Sequence, residues 1–241
     1  MKMQFSKTIG GMAIVASTLI LTGCPSSNDN NSQVEPPKDA PAVKQEYKVT
    51  VTNLTANQPF SPITVVAHSA EYPQYRVGEP ASNALERLAE SGNNSGFSSE
   101  KGVEKVASGS GELFPGNKVE VTISLDVDKL LPVSVLTMPV NTNDAFVGLS
   151  TIDVSGLAKG QTLSFRGNIY DAGTEANTES KGTVPGPAGG GQGYNSERDD
   201  INKVHIHPGV ISADDGLTGS ALSASHRFDN PGMSVVIERV K

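Results

Sequence analysis

The chain has one cysteine, no tryptophan, and only seven Phe and five Tyr in 241 residues. A single thiol allows neither an internal disulfide nor a Cys-based metal centre, so the fold must rest on its apolar core. The shortage of aromatics removes the usual lining of a sugar-cleaving cleft. Positive charge is also scarce. Nineteen Lys and Arg stand against 26 Asp and Glu, a net charge of −7, and nowhere do the basic residues cluster. That argues against nucleic acid as a partner, because displacing its counterions needs gathered positive charge. No Ser occupies a Gly-x-Ser-x-Gly elbow, the mark of one large class of hydrolases. The stretch Gly182 to Gly193 is glycine-rich but lacks the Gly-Lys-Ser/Thr ending of a phosphate loop. It reads as a long mobile insertion. Hydrolytic chemistry has no visible seat.

What is present begins with an address. Lys2 and Lys7 precede the apolar run Ile9 to Leu21, and Leu21-Thr22-Gly23-Cys24 places small residues before the lone cysteine. This is the pattern of a bacterial lipoprotein signal over residues 1–23, with Cys24 acylated and the chain cut before it. Lipid on Cys24 would anchor the protein to a membrane without crossing it. Pro25 follows where Asp would resemble the inner-membrane retention signal of Gram-negative lipoproteins, so the cell envelope, at its outer membrane, is the expected location. Cleavage removes two lysines and takes the net charge from −7 to −9. Residues 24–45 are rich in Ser, Asn, Pro, Asp and Gln, the composition of a disordered tether.

Residues 46–241 carry a different pattern. Tyr47, Val49 and Val51 alternate with polar residues, as do Val119, Val121, Ile123 and Leu125. Further strands are expected at 63–67, 145–154, 161–170, 204–206 and 233–240, with 133–138 as an extra or edge piece. Ala81, Ala84, Leu85, Leu88 and Ala89 share one helical face between Pro80 and Gly92, which predicts one short helix. The fold class is therefore all-β: one antiparallel β-sandwich of about eight strands with a single helix.

Two of those strands carry the candidate site. Residues 145–154 and 161–170 flank Gly156-Leu157-Ala158-Lys159-Gly160 and read as a β-hairpin. A turn centred on Ala158 pairs positions summing to about 316. Asp144 and Asp171 then meet at the open end, and the turn Asp171-Ala172-Gly173-Thr174 folds Glu175 back toward them. Three carboxylates with no matched base repel one another unless a cation lies between them. Hard oxygen donors on loops suit calcium (Ca2+) better than magnesium. The competing reading is three solvated loop acids that never meet.

His205 and His207 stand two apart on an expected strand and so share a face, a spacing that zinc sites use. A third ligand would have to come from His226, His68, Asp214 or Asp215. Asp199-Asp200 and Asp214-Asp215 read as loop decoration.

Five pieces in order resemble the spondin amino-terminal domain family. They are Phe60-Ser61-Pro62 leading to Ala67-His68; Gly78-x-x-Ala81-Ser82 opening a helix that ends Leu88-Ala89-Glu90-Ser91-Gly92; Asn143-Asp144-Ala145-Phe146-Val147-Gly148; Tyr170-Asp171-Ala172-Gly173-Thr174-Glu175; and a late strand beside Asn230-Pro231. The resemblance implies an eight-stranded antiparallel sandwich with calcium at one end, the matching acids here being Asp144, Asp171 and Glu175. It departs from the animal pattern in lacking tryptophans and disulfide cysteines, and in placing Glu175 where aspartate is usual. The expected function is a lipid-anchored, calcium-binding adhesion or binding module that meets an unidentified protein or glycan surface. The alternatives are a structural part of the envelope without functional calcium, or a metal-dependent hydrolase built on the histidines.

Overall fold

The structure, a computed structural model, describes residues 43–129 and 131–241. The expected signal sequence, Cys24 and almost all of the tether lie outside the described residues. Among those described, no helix is long and apolar enough to cross a membrane.

Among the described residues, nine strands form one antiparallel array: β1 (Lys44–Asn53), β2 (Thr64–His68), β3 (Val103–Ser108), β4 (Lys118–Asp126), β5 (Val133–Thr137), β6 (Ala145–Ile152), β7 (Thr162–Asp171), β8 (His205–Ile206) and β9 (Met233–Arg239). Their order is β3-β2-β5-β6-β7-β9-β1-β4, with the short β8 also on β7. Strand β7 is the hinge of this array. Its first half, Thr162 to Gly167, pairs with β9, whereas Asn168 to Asp171 pairs with β6. The array thereby folds over on itself as two layers, and apolar residues of both meet inside. Val49, Val51, Ile123, Val235 and Ile237 from one layer join Val65, Val135, Val147 and Ile169 in a single buried cluster. The alternation seen in β1, β4 and β9 is the signature of strands with one wet face. The expected all-β antiparallel fold is the one observed.

Three elements differ in detail from the sequence pattern. β5 is a central strand between β2 and β6, with all five residues buried. Even its polar Ser134 and Thr137 are fully buried, which reflects cover on both faces. β3 went unrecognised because it is an exposed edge strand whose Glu104 and Lys105 interrupt any alternation. The β6–β7 hairpin is paired over only four residues on each strand. Beyond Gly148 and Asn168 the strands part, so the 153–161 connection closes no tight turn.

Among the described residues one α-helix, α1 (Asn83–Ser91), covers the outer face of the second layer. Ser82 caps its start by accepting from the Leu85 amide, and Gly92 ends it in the left-handed conformation at φ 69°. Leu85 and Leu88 pack on Val66, Leu136, Phe146 and Ala172. Each such buried leucine stabilises the fold by about 1.5–3 kcal/mol. The helix thus covers the outer face of the β6–β7 end where the acids gather.

The Gly182–Gly193 stretch is not the mobile insertion its composition suggests. Its amides bond inward, Gly186 to the Val140 carbonyl at 2.8 Å and Gly191 to the Val184 carbonyl at 2.9 Å. Ala188 donates to the Asn141 side chain at 2.9 Å. A Cβ at Gly186 would strike the Val140 backbone. Here glycine permits close packing rather than freedom.

Candidate functional site

The observed register pairs Ala145 with Asp171 and Phe146 with Tyr170. Position 144 therefore falls opposite Ala172, whose amide donates to the Asp144 carbonyl at 3.1 Å. Asp144 and Asp171 are therefore diagonal neighbours at the open hairpin end, one step out of the facing pair that the spacing predicts, and both are fully buried.

The Asp-Ala-Gly-Thr turn wraps around the Asp144 carboxylate. Its Oδ2 accepts from the Thr174 amide at 2.7 Å, the Glu175 amide at 3.1 Å and the Thr174 hydroxyl at 3.2 Å. Asp171 Oδ1 accepts from the Gly173 amide at 2.7 Å, and Oδ2 from the Asn177 side-chain amide at 2.7 Å. Gly173 is required twice over. Its φ is 70°, and a Cβ would run into the Lys203 backbone, with the nitrogen at 2.7 Å.

The site is acidic beyond what these bonds balance. Burial, then the Asp171 charge, pushes Asp144 well above the usual carboxylate range against the pull of the Thr174 and Glu175 amides. Burial also raises Asp171, with Asn177 and His205 opposing. Glu179, which no sequence pattern marks, is buried and pushed up to about 7 by burial, with the Asp171 charge adding to the rise. Glu175 rises to about 7 as well, from burial and then from Glu90 and Asp199. The charges acting on Glu175 are thus those of the helix and of the 194–203 segment. Its backbone, rather than its carboxylate, touches Asp144.

Among the described residues several buried atoms have no hydrogen-bond partner: Asp144 Oδ1, Asn177 Oδ1, Glu175 Oε2, Glu179 Oε2, Glu90 Oε1 and Asp126 Oδ1 among the oxygens, and Asn143 Nδ2 and His207 Nε2 among the nitrogens. A buried carboxylate oxygen without a donor is costly. Such oxygens are hard donors, the chemistry that calcium or magnesium takes. Among the described residues no three His, Cys, Asp or Glu side chains are gathered as a ready-made metal cluster. An ion here would draw on amide and backbone oxygens and water beside its carboxylates.

Both histidines do share a face and both turn to Asp171. His205 Nδ1 lies 3.7 Å from Oδ1 and His207 Nε2 lies 3.9 Å from Oδ2. The hydrogen bonding of His207 works against a zinc role. His207 Nδ1 accepts the Gly209 amide at 3.0 Å, which leaves the proton of the neutral ring on Nε2, facing Asp171. Burial holds that ring neutral, its pKa lowered to about 4. A donor N–H is not a metal ligand. His226 caps a short turn at Ser223. Asp215 accepts from Ser212 and pairs with Arg227, and Asp214 accepts from Ala224, so these acids fasten loops. His68 Nε2 bonds Ser134 Oγ at 2.7 Å, but both residues are fully buried, which leaves no access for a substrate.

The Spondin_N family matches residues 40–184, more than half of the 241-residue chain. The chain belongs to the spondin amino-terminal domain family. No curated protein matches it. The matched segment holds Asp144, Asp171, Glu175 and Glu179 on one continuous stretch. Strand β9, which lies between β7 and β1, comes from residues beyond it. So does the 194–203 segment, whose Asp199 and Asn202 amides bond the Thr174 and Gly173 carbonyls at 3.2 and 2.7 Å. This spondin domain is therefore completed by its own carboxy-terminal 57 residues, 185–241. Its family is not known for enzymatic activity and points to a binding or adhesion type of module.

Proposed function

We propose that the domain is a calcium-binding adhesion or binding module held on the bacterial envelope by lipid on Cys24, and that it is not an enzyme. The observation that carries the calcium reading is Asp144: a fully buried carboxylate with one oxygen unpartnered, beside a second buried carboxylate, Asp171. Low dielectric makes that juxtaposition unfavourable without a counter-charge. Asp144 and Asp171 would hold the ion, with Glu175 as the third acid at the turn. A bound calcium would supply two positive charges to this end of the sandwich, where the loops can present an anionic-to-neutral face to a protein or glycan surface.

What the chain itself does here is tie elements together. Asp144 joins the start of β6 to the 171–175 turn, and that turn receives the 194–203 segment. Saturation with a ligand that binds only the native state adds about 2.7 kcal/mol of stability at a hundredfold excess over Kd. Calorimetric melting with calcium chloride and with chelator tests this. The wild-type Tm should rise with calcium, and the Asp171→Ala chain should not respond. A wild-type melting curve indifferent to both additions would leave a purely structural envelope part as the better reading.

A further inference from the structure

Between β2 and α1 the chain forms a loop, residues 69–80, that carries two of its five tyrosines, Tyr72 and Tyr75. The loop is fastened along its path. The Tyr72 amide donates to the Ser69 carbonyl at 3.0 Å, Gly78 donates to the Val204 carbonyl at 2.8 Å, and the Val204 amide donates to the Glu79 carbonyl at 2.9 Å. Both rings are fixed as well. Tyr72 lies so close to Gly102, at φ 77°, that a Cβ there would fall 2.6 Å from its Cδ2. Tyr75 meets Phe146 edge-on at 4.9 Å and Tyr170 at 5.0 Å, and a Cβ on Gly148 would fall 2.8 Å from its ring. Both tyrosines are only half-buried. They line a cavity of about 200 Å³ between this loop, the start of α1 and Glu100. Its polar lining is mixed. Glu71, Glu79 and Glu100 supply acceptors, whereas Gln74, Arg76 and Lys101 supply donors. The cations are already partly engaged within the wall. Arg76 Nη1 is 3.9 Å from Glu79 Oε2 and Nη2 donates to the Glu71 carbonyl at 3.2 Å, while Lys101 Nζ stands 4.4 Å over the Tyr72 ring.

Three carboxylates against two cations leave no strong excess of either sign. The concentrated charge that draws a phosphate or a polyamine is therefore missing. The same charged lining is unsuited to a lipid chain, against which its polar groups would lose their water unpaired. A neutral sugar meets both conditions. Its CH face packs on a tyrosine ring, and each of its hydroxyls both donates and accepts. We infer that this pocket binds one neutral sugar ring of a surface glycan. Tyr72 and Tyr75 are its packing walls, and Glu71, Arg76 and Glu100 its hydroxyl partners. The inference deepens the reading of the domain as a binding module and rests on it, but not on calcium. Because the loop and both rings are held before any ligand arrives, little ordering cost remains to be met on binding. The cavity is smaller than the about 300–1,000 Å³ that encloses a drug-sized molecule. One ring enters, and the rest of the glycan lies outside, past the exposed Arg76, Glu79 and Lys101.

The test is saturation-transfer NMR on the full chain, in a detergent without a sugar headgroup and with chelator present. The probes are glucose, galactose, mannose and N-acetylglucosamine, with glucuronate and glucosamine as charged counterparts. At least one neutral sugar should bind with a Kd of about 1–10 mM, the range open to so small a ligand. Tyr72→Ala and Arg76→Ala should each weaken that sugar about fivefold or more. Arg76→Ala, at the exposed rim, should leave the melting temperature unchanged. No neutral sugar binding in that range, a charged counterpart binding more tightly, or both variants binding as the wild type does would overturn the inference. So would binding that requires calcium, because it would place the sugar at the acidic end of the sandwich. The melting response to calcium is measured separately: a wild type stabilised by calcium that binds no sugar loses this inference and keeps the binding-module reading, and one that shows neither loses both. Should Tyr72→Ala fail to fold, Arg76→Ala and Glu71→Ala decide. A loss of about fivefold or more in either supports the assignment, and a smaller loss in both refutes it.

Discussion

Arg198 grips Glu86 with two parallel hydrogen bonds, Nε to Oε1 at 3.0 Å and Nη2 to Oε2 at 2.8 Å. Glu86 sits on α1 at 2% exposure, and the same guanidinium donates to the Ala81 carbonyl at 2.9 Å and to Asn202 at 2.6 Å. The pair fastens the 194–203 segment, and through it the site, to the helix. A bidentate fork of this kind cannot be reproduced by lysine. Arg198→Met leaves a buried carboxylate without its counter-charge and should cost about 3–5 kcal/mol. Urea denaturation measures it, and a loss under 1 kcal/mol would show the clamp to be dispensable.

Gly173→Ala should destabilise by about 2–4 kcal/mol, combining left-handed strain with displacement of the Lys203 backbone. Gly190, also left-handed at φ 69°, has open space around it, so Gly190→Ala should cost only about 1 kcal/mol. Equal losses at the two positions would contradict the close approach argued for Gly173.

Stability should depend on pH in an unusual direction when no cation is present. Asp144, Asp171 and Glu90 are raised by burial, and Glu175 and Glu179 reach about 7 from 4.5. A carboxyl raised on folding binds more protons in the native state, so its contribution falls as pH climbs from its unfolded to its folded pKa. His68 and His207, lowered by burial from 6.5, act oppositely, and only below that value. Between pH 6.5 and 8 the carboxyls alone remain. The melting temperature in chelator should fall across that interval, by about 1 kcal/mol or more in stability, and calcium should reduce the fall. A flat profile in chelator would mean that the acids are better compensated than their burial implies.

Leu88→Ala should cost about 2–5 kcal/mol by opening a cavity between α1 and the sheet. Because α1 also carries Glu86 and Glu90, whose Oε2 accepts the Asn195 amide at 2.8 Å, the same change should weaken calcium binding indirectly. Thermal unfolding and calorimetry on one sample check both effects.

Much of this architecture is legible in the residues because local chemistry repeats the tertiary demand. Alternation in β1, β4 and β9 reports one wet face, and Ser82 with Gly92 brackets α1 at both ends. The 316 register of the hairpin end was readable too, since Ala145 opposite Asp171 follows from counting back from Ala158. The central place of β5 is not legible, because a short stretch mixing Val133, Val135 and Leu136 with Ser134 and Thr137 carries no information about how many neighbours cover it. The glycine-rich stretch was misread for a related reason: composition does not distinguish a glycine chosen for freedom from one chosen for lack of a Cβ.

Residue order alone brought Asp144 and Asp171 to one end of one hairpin, since strand pairing is a matter of spacing along the chain. Only the folded chain decided that Glu179 is buried, that the Glu175 backbone rather than its carboxylate meets Asp144, and that His207 presents a proton rather than a lone pair. Those outcomes depend on segments distant in sequence, α1, the 194–203 segment and the Gly209 turn. Burial and hydrogen bonding are properties of the company a side chain keeps, and that company is assembled only in three dimensions.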